Sequence, residues 1–340
     1  MKTDLHPWNL PLWRALGLPA RIQPAALLLS GPRGVGKGDF AIGLAQALLC
    51  GQPSVDGYGC GACQACRLYL AGNHPDFRLL QESASDDDAG VEEGTKGRGS
   101  GAPRWIRVEQ VRNLNEFLVL RPHLSRRRVV LINPADRLHA SAANALLKTL
   151  EEPPSDTHFI LVTDSLRRLP ATVLSRCVRL QFRLPAAAEA VAWLEAEGAT
   201  KAELALAQAG FAPLTALRLD TAEHWTRRER LISQVLGSPE FDPILISERM
   251  TGEELTLLVG ALQRWCHDLL LARTVGAVRY NPDRAQILHQ LAARSSLDQL
   301  MGFLKDLQAT ARFLEHPLNA RLVAERCLIG YKRALTVLKA

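Results

Sequence analysis

The sequence predicts an α/β domain with a parallel sheet covered by helices on both faces, followed by an all-helical C-terminal region. Three observations carry this. The glycine-rich stretch GPRGVGKG (31–38) lies between an apolar run and a helical run, the strand–loop–helix context of a phosphate-binding loop. From there to Phe182, short apolar runs alternate with stretches of helical spacing, the pattern of a parallel sheet with crossover helices. After Pro185 the strand signals stop and only helical spacing continues.

Taken in order, AALLLS (25–30) is a buried strand entering the glycine loop, and DFAIGLAQALL (39–49) is a helix ending near Gly51, since glycine is a common helix terminator. The stretch 106–118 places Val108, Val111, Leu114 and Leu118 on one helical face. Residues 129–132 form a strand, and 141–152 a helix with Ala143, Leu146, Leu147 and Leu150 on one face. Pro153 and Pro154 stop that helix. Strands follow at 158–163 and 178–182, and long amphipathic helices at 252–273 and 318–337. The resulting domain expectation is an α/β domain over 1–184, a small helical lid over 185–220 and an all-α domain over 221–340. Residues 82–104 read ESASDDDAGVEEGTKGRGSGAPR, with five glycines, an acidic cluster and almost no large apolar residue. Such a segment buries too little surface to offset its ordering entropy, so a flexible insertion is expected.

Composition narrows the class. Of 340 residues, 47% are hydrophobic and 22% charged, which fits globular domains with real cores. No apolar run approaches a membrane span of ~18 residues, and the N-terminus lacks a signal peptide's apolar block. A cytoplasmic protein is expected, so the seven cysteines are thiols or metal ligands rather than disulfides. The +6 formal charge permits contact with nucleic acid without establishing it.

Cys60, Cys63 and Cys66 form C-x₂-C-x₂-C, and Cys50 precedes them within the module 50–66. Four thiolates at short spacing suit a closed, structural Zn²⁺ site. His74 is the alternative to Cys50 as the fourth ligand. Cys177, Cys266 and Cys327 stand apart and read as core thiols.

The glycine loop keeps Gly31, Gly34, Gly36 and Lys37, but Gly38 stands where a hydroxyl normally holds Mg²⁺. The next core strand ends VVLINPADRL, so Asn133 and Pro134 occupy the positions where a Mg²⁺ carboxylate and a water-activating carboxylate are expected. Asp136 is offset and reads as a helix-start carboxylate. Together these losses argue against Mg²⁺-dependent ATP hydrolysis. In LSRCVRL (174–180), Arg176 lies between a helix and a strand; on the sequence alone it is a solvated arginine.

NALLKTLEEPP (144–154), LSRC (174–177), LAGNHPDF (70–77) and the four-cysteine module together resemble the AAA+ subunits of the bacterial DNA polymerase III clamp loader, most closely its delta-prime branch. The likeness runs from the PW at 7–8 to the C-terminal HPLNARLVAERCL. It implies an AAA+ domain carrying a zinc module, a helical lid, and a helical collar that joins five subunits in a ring with motor subunits and a delta subunit. It also implies action on a sliding clamp and primer–template DNA through the assembled complex. In that family the arginine of Ser-Arg-Cys, here Arg176, reaches into a neighbouring motor subunit's ATP site. The lid arginine used to sense nucleotide is replaced; the resemblance places Pro213 there.

Two other functions fit parts of the chain. One is an independent P-loop ATPase or nucleoside-phosphate kinase, against which Gly38 and Asn133 speak. The other is a zinc-containing DNA-binding or repair protein working alone, for which the run Arg126, Arg127, Arg128 is the best surface.

Overall fold

Alternate residues of each central strand serve two different cores, and that period of two builds the first half of the molecule. The computed structural model describes residues 5–18, 24–82, 105–237, 240–248, 250–314 and 318–335. It divides into two compact units, meeting in sequence at Pro185 and Ala186. Apart from Glu82, the segment 82–104 expected to be flexible lies outside the described residues.

In the first unit, β1 (Ala26–Ser30), β2 (Phe77–Leu80), β3 (Arg128–Ile132), β4 (Thr157–Thr163) and β5 (Val178–Gln181) form one sheet in the order β2-β3-β4-β1-β5. Every pairing is parallel. Leu27, Leu29, Val129, Leu131, Ile160 and Val162 face one core. It is closed by Trp13 of α1 (Leu10–Leu16), by Phe40, Leu44 and Leu48 of α2 (Lys37–Leu49), and by Tyr69 of α3 (Gln64–Leu70). Leu28, Val130, Ile132, Phe159 and Leu161 face the other, against α4 (Val108–Val119), α5 (Ala140–Glu151) and α6 (Ala171–Leu174). The helix-covered parallel sheet expected from the sequence is the one observed.

Two local details differ from the sequence reading. The strand β2 was not expected: it has four residues, lies at the sheet edge and is only partly buried, so no apolar run marks it. The helical run expected from residue 106 starts at Val108, because Ile106 instead bridges to Leu138 and exchanges backbone hydrogen bonds with Arg137 and His139.

The second unit is helical throughout its described residues. α7 (Ala187–Ala196), α8 (Ala202–Gln208) and α9 (Pro213–Leu219) enclose a small core of Ala190, Leu194, Leu206 and Ala216. Pro213 is the buried first residue of α9, where a missing N–H costs nothing. A larger core, including Leu262, Trp265, Leu300, Leu328 and Tyr331, is built by α10 (Ala222–Leu231), α11 (Pro243–Ser247), α12 (Gly252–Thr274), α13 (Ala285–Arg294), α14 (Leu297–Ala311) and α15 (Ala320–Leu335). The Thr251 and Glu254 side chains form a capping box that fixes the start of α12. The run expected from 318 becomes helical at Ala320, since Asn319 caps it by accepting the Leu322 N–H at 3.3 Å. Among the described residues, no helix is long and apolar enough to cross a membrane.

Candidate functional site

The glycine loop follows β1 and delivers the chain into α2. Gly31 is required because a Cβ would lie 2.5 Å from the Phe182 carbonyl oxygen. Gly36 has φ +84° and would press a Cβ to 2.4 Å from the His6 ring. The segment before α1 covers the loop: Trp8 Nε1 and Asn9 Nδ2 both donate to the Val35 carbonyl, at 3.0 and 2.9 Å. His6 Nε2 lies 3.0 Å from Asp39 Oδ2 on the first turn of α2. Sequence reasoning missed this cover.

Lys37 begins α2 and is only 4% exposed. Its ammonium donates to the carbonyls of Gly31 at 2.8 Å and Pro32 at 2.6 Å, and to Asp164 Oδ1 at 2.6 Å. Asp164 follows the end of β4, a position the sequence reading passed over. Gly38 and Asn133 are brought together: a Cβ on Gly38 would sit 3.4 Å from Asn133 Nδ2. The two positions at which the sequence reading expects a hydroxyl and a carboxylate thus adjoin each other. Asp136 is no simple helix-start carboxylate. It is buried and accepts from Thr163 Oγ1 at 3.0 Å and the Asp164 N–H at 3.2 Å, joining the end of β3 to the end of β4.

The four cysteines converge. Their sulfurs all lie within 4.8 Å of one another, with separations of 3.5 Å (Cys50–Cys60), 3.9 Å (Cys50–Cys63) and 3.9 Å (Cys60–Cys66). A tetrahedral ion with sulfurs at about 2.3 Å needs them about 3.8 Å apart, so the donor set fits a metal ion. Backbone N–H groups point at the sulfurs: Gln52 and Cys60 donate to Cys50 Sγ, Cys63 to Cys60 Sγ, and Cys66 to Cys63 Sγ, all at 3.3–3.4 Å. Burial alone would raise the Cys63 thiol, but the N–H groups of Cys66 and Gly51 and the neighbouring thiols outweigh it and bring it down to about 6. Cys66 is buried and pushed up to about 12. Trp13 holds the module on the domain, donating to the Asp56 carbonyl at 3.0 Å and stacking on Tyr58.

His74 is excluded as the fourth ligand. It is buried, accepts the Asp76 N–H on Nδ1 at 3.0 Å, and has Nε2 3.2 Å from Ser125 Oγ. The NHPD stretch is a clamp instead. Asp76 accepts N–H bonds from His123, Leu124 and Ser125 at 2.6, 2.8 and 2.7 Å. Burial works against this charge, yet the three N–H groups hold the carboxyl below its usual range. The arginine run is likewise no continuous surface. Arg128 is buried and donates to the carbonyls of Phe117, Leu118 and Leu120, closing the C-terminal end of α4. Of the isolated thiols, Cys266 and Cys327 belong to the second unit's large core, and Cys177 is half-buried.

Arg176 lies just past α6, where the chain turns into β5. Its side chain is 31% exposed. Nη1 donates to the Thr172 carbonyl at 2.8 Å and to Ser175 Oγ at 3.1 Å, and Nη2 pairs with Glu151 at the end of α5. Nε has no hydrogen-bond partner among the described residues. The NALLKTLEE helix and the SRC turn, distant in sequence, therefore meet at this guanidinium.

Comparison with known proteins places these features. A family model described as "DNA polymerase III, delta subunit" matches residues 20–186. The DNA polymerase III subunit delta' of Pseudomonas aeruginosa is 43% identical over 326 residues, covering 92% of this chain and 88% of that protein. The subunit of the same name from Escherichia coli K12 is 33% identical, with 83% and 80% covered. The DNA polymerase III subunit tau of Salmonella typhimurium is 37% identical over 161 residues, 47% of this chain and 22% of its own. Among solved structures, a gamma subunit-related protein from Thermotoga maritima aligns at a TM-score of 0.45 and 18% identity, with 96% and 98% covered. On the extent and identity of the delta' matches, the chain belongs to the DNA polymerase III delta-prime subunit family.

Proposed function

We propose that this chain is a non-hydrolysing subunit of the clamp-loader complex that helps load the sliding clamp onto primed DNA and lends Arg176 to a neighbouring motor subunit's ATP site. One observation carries the reading: Gly38 and Asn133 face each other where a Mg²⁺-holding hydroxyl and carboxylate would stand. Pro134 beside them cannot accept a proton, so neither metal nor attacking water has its usual anionic support. Arg176 serves no such chemistry in its own unit. A planar, permanently charged guanidinium suits the charge that develops on a transferring phosphoryl group.

The partners are motor subunits and a delta subunit in a five-membered cytoplasmic ring, with clamp and primer–template DNA reached through the assembly. The cysteine ion is zinc, because four thiolates with no open position suit a structural Zn²⁺ site. Residues 1–184 carry the AAA+ domain, 185–220 the lid and 221–340 the ring-forming collar. The test is to purify the chain alone and with a motor subunit and measure Mg²⁺-dependent ATP hydrolysis. No turnover is expected from the chain alone, and stimulation is expected in the assembled complex. Turnover by the pure chain would favour an independent ATPase instead.

A further inference from the structure

An ammonium group has three N–H donors, and Lys37 uses all three inside the chain: on Gly31, on Pro32 and on the Asp164 carboxylate. The lysine of such a loop ordinarily reaches the β- and γ-phosphates of a nucleotide. Here a carboxylate of this same chain stands at 2.6 Å from that ammonium, on a residue only 4% exposed. A charge-assisted bond of this length is among the stronger polar contacts in a protein; the Lys37 side chain is 3% exposed, while the Asp164 carboxylate keeps 41% of its side chain in solvent. The backbone that carries this carboxylate is also positioned. Asp136 accepts the Asp164 N–H, Thr163 Oγ1 donates to Asp136, and the Ser165 N–H donates to Thr163 Oγ1 at 3.0 Å. A fixed negative charge would moreover repel an incoming phosphate.

We infer that Asp164 is the internal occupant of the phosphate-binding loop, and that neutralising it converts the loop into a site for the phosphate chain of a nucleoside triphosphate. The inference rests on the non-hydrolysing reading above and adds to it. Missing Mg²⁺ groups bear on turnover, whereas Asp164 bears on nucleotide binding itself. Gly31, Gly34, Gly36 and Lys37 keep the cradle's residues at the start of a 13-residue helix.

The test titrates the full-length chain with ATP and, separately, with inorganic triphosphate, at low salt without added Mg²⁺, by calorimetry. Asp164→Asn should bind ATP at least tenfold more tightly than wild type, and Asp164→Asn/Lys37→Met should fall back to the wild-type level. Triphosphate should show a similar gain, since the new affinity lies on the phosphates; a gain confined to ATP would overturn the assignment. Unchanged circular dichroism and metal content establish that the variant folds. Should it not fold, the wild-type chain still decides. Lys37 should resist an amine-acylating reagent far better than surface Lys148, and wild type should show no Lys37-dependent ATP binding. Rapid acylation of Lys37, tight wild-type binding lost in Lys37→Met, or a folded Asp164→Asn with no gain would each overturn the inference. The last result leaves the non-hydrolysing reading intact, whereas ATP turnover by wild type would strike that reading instead.

Discussion

Lys37 and Arg176 are two cations of the same unit placed beside helix ends, and their surroundings differ. Lys37 is sealed: three internal acceptors satisfy it, one of them the carboxylate of Asp164, whose backbone N–H is tied to Asp136. Arg176 keeps nearly a third of its side chain in solvent, is held by a half-exposed carboxylate on Glu151, and leaves Nε without a partner among the described residues. A buried charge persists only where its own chain compensates it, and such compensation withdraws it from ligands. A partly exposed guanidinium whose ion-pair partner is itself half-exposed can exchange that partner for another chain's group at little cost. The cysteine cluster belongs with Arg176 in this respect, since four converging thiols make a demand that the polypeptide alone does not meet.

The largest expected effect sharpens that last point. Cys63→Ser should remove the metal, taking the content from about one ion per chain to near zero, because a closed site needs all four thiolates. The module 50–66 should lose several kcal/mol of local stability. Elemental analysis and proteolysis of the module measure both. Full metal retention would mean that the thiols are not the ligands.

Next comes Arg176→Ala, which tests the exposed side of the comparison. At a site served in trans, a supplied arginine is worth about 10³-fold or more in rate. On the proposed role, the loss of DNA- and clamp-stimulated hydrolysis in the complex should be partial, because other motor sites would receive their arginine from other neighbours. Arg176→Lys should recover little, lacking the planar two-point donor geometry. Folding, metal content and assembly should be near normal. Wild-type hydrolysis by an assembled mutant complex would make Arg176 an ordinary surface residue.

Asp76 tests the sealed side. Replacing it with Asn weakens three backbone N–H bonds to a charged acceptor and should cost about 1.5–3 kcal/mol. The pH dependence has a definite sign. The folded carboxyl is held below its usual range, so the unfolded chain takes up this proton first as pH falls past about 4. Asp76 therefore stabilises the fold above that pH, and the contribution fades as pH falls through the lower folded value. The gap between wild type and Asp76→Asn in urea unfolding should shrink from pH 6 to pH 3. A constant gap would show that packing, not charge, is involved.

The smallest effect is expected from Gly38→Thr. Space exists for the new Cβ, which meets Asn133 Nδ2 at an ordinary 3.4 Å, so the fold should tolerate it. ATP turnover should stay absent, since Asn133 and Pro134 still supply no carboxylate. Measurable turnover would mean that the hydroxyl alone had been limiting.

Much of the first unit was legible in the chain because its signals are local. Continuous apolar runs mark strands buried on both faces, as in LLL at 27–29. Helical spacing marks α4 and α5, and glycines at Gly31, Gly34, Gly36 and Gly38 mark the loop. The short C-x₂-C spacings identify the cysteine cluster because a ligand set drawn mainly from nearby residues can be read from spacing. The edge strand β2 escaped this reading because partial burial demands no apolar pattern. The Arg126–Arg128 run, the best basic surface the sequence offers to a stand-alone DNA-binding reading, breaks up for a related reason: only the fold turns Arg128 inward onto the open carbonyls of α4.

What the sequence by itself determined, then, is which groups are present and which are missing: four thiols, one loop lysine, and no carboxylate at Asn133 or Pro134. What only the tertiary structure decided is which distant groups neutralise one another. Lys37 and Asp164 are 127 residues apart, Arg176 and Glu151 25 apart, and Asp76 and the 123–125 amides 47–49 apart. No spacing rule connects such positions. Lys37 and Asp164 meet because the parallel order β4-β1 carries the ends of those strands and the start of α2 to one edge of the sheet; Asp76 with the 123–125 amides, and Arg176 with Glu151, lie in segments that lead into strands, toward the opposite edge. At either edge a charge deprived of water must take its partner from whatever the fold has brought within reach.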